Sequence, residues 1–322
     1  MTPEAGPSGS RLTVLSHVGP AERLHLPPDL AAQVDVVAIP MTGSIGSEVV
    51  GEALVSMPQW ADNLHEVLAR GVRWLHFVST GVDGVDFDAL PPDLLITNSR
   101  GVSAIPISEW VVAVMLAFEK HLPEVWIDAP PENWRGDRRL GTLHGRRVGI
   151  VGFGSIGAAL AERLSPFGVE IRALRRTDRP SPVPGVEVVS SLAEVLDGAD
   201  HVVLSAPLTD ATRHLIDADA FAAMKPGVHL VNIARGGLVD QDALRAALDA
   251  GVVARASLDA VDPEPLPDGH WMYGHPRVRL SPHDSWSWPR AYETMFERFG
   301  ANLRAYLAGE PLPDLVDHTE RY

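Results

Sequence analysis

Val148-Gly149-Ile150-Val151-Gly152-Phe153-Gly154-Ser155-Ile156-Gly157 is the stretch whose reading decides how this chain folds. A short apolar run leads directly into G-x-G-x-x-G, and Ala158 to Leu164 continues as a helix. Gly152 permits a tight turn, Gly154 lets backbone approach a diphosphate, and Gly157 lets helix and strand pack closely. The N–H groups at the helix start, around Ser155 and Ile156, would face the phosphates of a dinucleotide. Glycine-rich turns also serve packing alone. The strand before the motif and the helix after it favour dinucleotide binding.

Downstream, the short apolar runs Val169 to Leu174, His201 to Leu204, Val228 to Val231, Val253 to Ser257 and Val278 to Leu280 alternate with helical stretches such as Gln241 to Asp249. Continuous rather than alternating apolar strands separated by helices indicate a parallel sheet covered on both faces, a doubly wound α/β domain. Upstream, Leu12 to Leu15, Val34 to Ile39 and Val72 to Val78 read as strands of a smaller α/β layer, with a helix over Asp62 to Ala69. Asn98 to Pro106 carries turn punctuation, and Ser108 to Lys120 reads as a long helix, which places a domain boundary near residue 105. A last helix, Arg290 to Leu307, is expected to return to the first domain. The expected division is thus 106–288 inserted between 1–105 and 289–322. At 322 residues, two domains are the natural count at roughly 150 residues each.

Composition narrows the function classes. Lys plus Arg is 27 against 42 Asp plus Glu, a net charge of −15, which repels nucleic-acid phosphates and anionic lipid. With no cysteine there is neither a disulfide nor a thiolate metal site, and the cytoplasm is the default compartment. The longest apolar run, Trp110 to Phe118, is about half the roughly 18 residues needed to cross a bilayer. Met1 to Ser10 lacks the charged start and apolar middle of a signal peptide and reads as a frayed tail.

Dinucleotide choice turns on the end of the strand after the fingerprint, where an acid would hold a ribose 2′-hydroxyl. Here Arg175-Arg176-Thr177 follows Leu174, and Asp178 comes too late. Arg172, Arg175, Arg176 and Arg179 concentrate guanidinium groups suited to a 2′-phosphate, so NADP(H) is favoured over NAD(H). The alternative is a solvated loop whose arginines merely tolerate NAD.

Three further segments follow strands: Asn232-Ile233-Ala234-Arg235-Gly236-Gly237, Asp259 leading into Asp262-Pro263-Glu264-Pro265, and Ser281-Pro282-His283. Ligands of doubly wound sheets lie beyond the carboxyl ends of the strands, so an Arg, a Glu and a His would converge beside the dinucleotide. Singly, each has a duller reading. Arg235 could pair with a surface acid, Glu264 could be solvated, and His283 is one of 13 histidines.

With these motifs, and with Pro207-Leu208-Thr209 through Thr212 to Ile216 and Met224-Lys225-Pro226-Gly227, the chain resembles the D-isomer-specific 2-hydroxyacid dehydrogenases over nearly its whole length. The resemblance implies a Rossmann cofactor domain inserted into a smaller flavodoxin-like substrate domain, an active site in the cleft between them, and a homodimer. By position, His283 matches the general acid/base, Glu264 the carboxylate that holds it, and Arg235 the guanidinium that binds a small 2-keto acid such as glyoxylate or hydroxypyruvate. Asp259 matches the residue that orients the nicotinamide carboxamide. Pro207 and Thr212 lie on the loop over the adenosine side, and Ile233 joins the cofactor contacts.

In the first domain, Ser79-Thr80-Gly81-Val82-Asp83 matches the loop whose N–H groups meet the substrate carboxylate, with Thr80, Gly81 and Val82 as donors. It also reads simply as a turn. Met57 and Trp60 are candidates for a side-chain pocket or ordinary core; Trp286 could cap the substrate, though among eight tryptophans a structural role is the safer reading. Asp284-Ser285-Trp286-Ser287-Trp288 and Ile105-Pro106-Ile107-Ser108-Glu109 depart from the common family pattern, which leaves the pocket shape open. Glu264 in place of glutamine argues against the formate dehydrogenase branch. A phosphoglycerate or phosphite dehydrogenase and a dinucleotide-sensing corepressor-like protein are the competing readings.

Overall fold

The structure is a computed structural model. It describes residues 11–58, 61–82, 84–131, 134, 140–177 and 179–318; Met1 to Ser10, Trp60, Asp83 and Asp178 lie outside these. The chain divides into two compact units, Met1–Val102 with Trp288–Tyr322, and Ser103–Ser287.

The first unit contains a sheet of five parallel strands: β1 (Leu12–Ser16), β2 (Val34–Ala38), β3 (Ala53–Ser56), β4 (Trp74–Phe77) and β5 (Leu95–Asn98). Their order is β2-β1-β3-β4-β5, the flavodoxin-like arrangement. Burial explains the short strands, since every residue of β3, β4 and β5 is buried. The helix Ala291–Ala308 belongs to the same unit. There Trp74 stacks on Phe299 and Tyr306 at 5.5 and 4.9 Å between ring centroids, and the Trp74 indole N–H is satisfied by Thr97 at 2.9 Å.

The second unit is built on β6 (Arg147–Val151), β7 (Glu170–Leu174), β8 (Val186–Val189), β9 (His201–Leu204), β10 (Val228–Asn232), β11 (Val253–Leu258) and β12 (Val278–Leu280). All pair in parallel, in the order β12-β11-β10-β9-β6-β7-β8. Counted from β6 this is the doubly wound order of a Rossmann sheet, extended by β12, with its switch point between β6 and β9. Val148, Ile150, Val203 and Val231 face one cluster with Val111, Met115, Leu160 and Leu164. Val202, Leu204 and Leu230 face the other with Phe221, Leu244 and Leu248. Both faces are therefore covered, and the strands read as unbroken apolar runs for that reason.

The helix expected from Ser108 in fact spans Ala104–Glu119. Pro106 falls in its first turn, where a missing N–H leaves no intrahelical bond unmade.

Candidate active site

Because β10, β11 and β12 are neighbours, their C-terminal tips lie side by side. Gly236 lets the first two connections close on each other. A Cβ there would sit 1.9 Å from the carbonyl carbon of Val261, so no side chain fits. Asn232, 1% exposed, shapes the turn after β10. Its amide donates to the Arg235 carbonyl at 2.9 Å and accepts the Ala234 N–H at 3.0 Å. Arg235 is presented half-buried, its guanidinium donating to the Ala234 carbonyl at 2.7 Å.

The turn after β11 carries Glu264 and the segment after β12 carries His283. The imidazole Nδ1–H donates to one Glu264 carboxylate oxygen at 2.8 Å. The other oxygen accepts the Val261 N–H at 3.0 Å, so both are oriented. The hydrogen bond to Glu264 raises the His283 pKa above its ordinary value; burial and the Arg235 charge oppose this, and the charges of Glu264 and Asp259 add to it. For Glu264, burial acts upward, yet the His283 bond, the Val261 N–H and the charges of His283 and Arg235 together hold it below the usual carboxylate range. With Nδ1 committed, Nε2 is the nitrogen left for a substrate oxygen. The side chains keep 36% and 38% of their surface exposed, enough for a small molecule to reach them.

Asp259, which the family resemblance assigns to the nicotinamide carboxamide, is held by a dense set of hydrogen bonds within the protein. Its carboxylate is 1% exposed. It accepts the Ser281 hydroxyl at 2.6 Å, the N–H groups of Asp284 and Ser285 at 3.1 and 3.2 Å, and the Ser285 hydroxyl. Trp286 makes structural contacts: its indole N–H donates to the His283 carbonyl at 2.9 Å and its ring packs against the core beside β6.

At the fingerprint, Gly152 has φ +97°, and a Cβ would lie 2.4 Å from the Ala206 nitrogen, so β6 and β9 approach there only through glycine. Ser205 closes the switch point by donating to the Gly152 carbonyl at 2.6 Å. A Cβ on Gly154 would meet nothing within 4 Å. The helix Ser155–Leu164 begins at Gly154 without a side-chain cap, and Gly157 packs it onto the Gly152 carbonyl. Uncapped N–H groups beside open space fit a dinucleotide diphosphate. Arg175, Arg176 and Thr177 follow the tip of β7, whose Leu174 carbonyl accepts the Gly152 N–H at 2.9 Å. Arg172, grouped with them on sequence, is instead paired with Glu187 and Asp197 at 3.0 and 3.3 Å. It lies within β7, where Glu187 is its cross-strand partner on β8 and Asp197 reaches it from the end of the helix Leu192–Leu196. Pro207 and Thr212 share a hydrogen-bonded loop, the Thr212 hydroxyl donating to the Pro207 carbonyl at 2.7 Å. Ile233 is buried at the tip of β10.

In the first unit, the N–H groups of Thr80, Gly81 and Val82 carry no hydrogen bond among the described residues. The loop is braced around them: Ser79 donates to the Gly81 carbonyl at 2.7 Å, Thr80 to Ser99, and Asn98 to the Thr80 carbonyl at 2.7 Å. Met57 is half-buried just past β3. Among the described residues no helix is long and apolar enough to cross a membrane, and no cluster of three His, Asp or Glu residues suits a metal ion.

A doubly wound sheet, a glycine fingerprint with room for a diphosphate, and an Arg, Glu and His at adjacent strand tips define an NAD(P)-dependent oxidoreductase. Residues 112–285 match the family model described as D-isomer specific 2-hydroxyacid dehydrogenase, NAD binding domain. The chain is 35% identical over 262 residues to a glyoxylate reductase of Thermofilum pendens, covering 77% of this chain and 76% of that one. It is 34% identical over 258 residues to a D-3-phosphoglycerate dehydrogenase of Mycobacterium tuberculosis, covering 78% of this chain; it spans 48% of that relative's length. Among solved structures, a D-isomer specific 2-hydroxyacid dehydrogenase from Xanthobacter autotrophicus in complex with NADPH and MES matches with TM-score 0.79 and 27% identity, covering 97% of this chain and 100% of that one. This chain belongs to the D-isomer-specific 2-hydroxyacid dehydrogenase family and is an NAD(P)-dependent enzyme of that class.

Proposed function

We propose that the protein is an NADP(H)-preferring reductase of a small 2-keto acid of the glyoxylate or hydroxypyruvate type, forming the D-2-hydroxy acid. The observation that carries this reading is the 2.8 Å His283–Glu264 contact next to the strand tip that presents Arg235. Arg235 binds the substrate carboxylate and polarises its carbonyl, which fixes the keto carbon for reaction. When bound, reduced nicotinamide supplies the hydride. His283 delivers a proton from Nε2 to the carbonyl oxygen, and Glu264 favours the protonated imidazole that can do so. In oxidation His283 takes that proton back. In the first unit, the Thr80, Gly81 and Val82 N–H groups are donors suited to a carboxylate. Gly152, Gly154, Ser155, Ile156 and Gly157 hold the diphosphate, Arg175, Arg176 and Thr177 the 2′-phosphate, and Pro207, Thr212 and Ile233 flank the rest of the dinucleotide.

A 3-phosphoglycerate substrate would call for cationic side chains beyond Arg235, and Ser79 to Val82 supply none. A corepressor-like sensor would bind dinucleotide without turnover. The test is a panel of 2-keto acids and 3-phosphohydroxypyruvate, each with NADPH and NADH, on wild type and His283→Ala. The expected result is reduction of the smallest 2-keto acids with NADPH, lost by at least about 100-fold in His283→Ala while NADPH still binds. Wild-type turnover in that variant would overturn the reading. The acidic balance and absence of cysteine favour a cytoplasmic protein, and the family pattern a homodimer, which sedimentation equilibrium would detect.

A further inference from the structure

We infer that Ser281, Ser285 and Trp286 are positioning residues for His283, clamping through the buried Asp259 carboxylate and the His283 carbonyl the turn that aims the imidazole. The inference rests on the reading of His283 as the acid/base.

His283 has φ +55°, a left-handed backbone that a non-glycine residue adopts only under constraint. The neighbouring contacts hold it there from both sides. Two residues before it, the Ser281 hydroxyl donates to Asp259 at 2.6 Å; directly after it, the N–H groups of Asp284 and Ser285 donate to the same carboxylate, and the Ser285 hydroxyl follows. An ionised carboxylate offers about four lone-pair sites, and four donors converge on this one. Asp259 is therefore saturated from one loop and is the peg on which that loop hangs. Trp286 supplies the second hold, its indole N–H on the His283 carbonyl and its ring set against the core. Release of either would let the turn relax and lengthen the His283–Glu264 bond, which depends on the ring lying where it does. The charged groups facing His283 are Glu264, Arg235 and Asp259, and all three act on its proton affinity.

Trp286→Phe keeps the aromatic bulk and deletes one donor; Ser281→Ala deletes another, and Ser281→Thr restores its hydroxyl. The measurements are kcat for 2-keto acid reduction across pH, substrate KM, and NADPH affinity by fluorescence titration. Trp286→Phe and Ser281→Ala are each expected to lower kcat about five- to tenfold and to move the alkaline limb down by about half a pH unit, with KM and NADPH affinity changed less than about twofold. Ser281→Thr recovers most of the loss. Unchanged kcat and pH limb in both deletions, or a loss of kcat matched by lost NADPH binding, overturns the positioning role while His283→Ala remains inactive. Full activity in His283→Ala overturns the catalytic reading itself, and this inference with it.

Discussion

Each ring nitrogen and carboxylate oxygen of the His283–Glu264 pair has an assigned task, so its titration has a definite sign. The pair raises the His283 pKa, so the protonated imidazole, the proposed proton donor in reduction, persists above the ordinary histidine range and is lost only as pH rises through the elevated value. Glu264→Gln removes the charge that sustains it. The alkaline limb of reduction should therefore move to lower pH, with kcat near pH 8 falling about tenfold or more, while the oxidation direction, which needs neutral His283, suffers less. A limb that stays in place in a pH–rate profile would mean that another group donates the proton. Arg175 and Arg176 carry a separate prediction. Replacing both with serine should weaken NADPH about 10- to 100-fold, one or two charge-assisted hydrogen bonds, and leave NADH nearly unchanged; equal losses in paired titrations would place the 2′-phosphate elsewhere. Much of this was readable from residue types after strands, because a doubly wound sheet delivers its tips to one edge. The partners of Asp259 and Arg172 were not. A carboxylate's neighbours are chosen by folded geometry, and Ser281 and Ser285 stand more than twenty residues along the chain from the group they saturate.

Among elements, the strands of the second unit were legible where both faces are buried and the run is uniformly apolar. β3 and β5 were harder, since Ser56, Thr97 and Asn98 are polar yet buried at strand ends, and such residues read as turns. β8 pairs only with β7 at the sheet edge and follows the Pro-rich Pro180 to Pro184, so it resembled loop. Buried polar groups also make the β4–helix contact sensitive to acid. His76 in β4 is fully buried against Phe299, and burial, helped by the Arg298 charge, pushes its pKa down to about 3. His229 in β10 is lowered as well, by burial and by the charges of His201 and Arg255. A histidine kept neutral in the fold gives full stability above its unfolded value near 6.5, and that stability drains away as pH falls from there toward the folded value. Each such histidine should cost about 1.4 kcal/mol per pH unit within that window. Melting temperature should drop steeply between pH 6 and 4, and His76→Gln should flatten the slope; an unaltered slope in that variant would show that other groups govern acid unfolding.

Across the whole molecule, the order of the chain gives the two units different standing. The second is one continuous segment, Ser103–Ser287, with its own seven-stranded sheet and apolar clusters on both faces. The first is assembled from both chain ends, and the helix Ala291–Ala308 supplies Phe299 and Tyr306 to its core. A continuous segment that buries its own core can fold without the rest, because no strand of its sheet is contributed from outside. Residues 103–287 expressed alone should therefore melt cooperatively and bind NADPH within about tenfold of the full chain, since every proposed dinucleotide contact lies inside them. The same fragment holds His283, Glu264 and Arg235 yet lacks the Thr80 to Val82 N–H groups, so it should not reduce 2-keto acids. Calorimetry, NADPH titration and a turnover assay on one preparation decide the matter. Turnover near that of the full chain would show that carboxylate recognition resides wholly in Arg235 and its neighbours, whereas a fragment that folds but fails to bind NADPH would remove the dinucleotide from the glycine fingerprint.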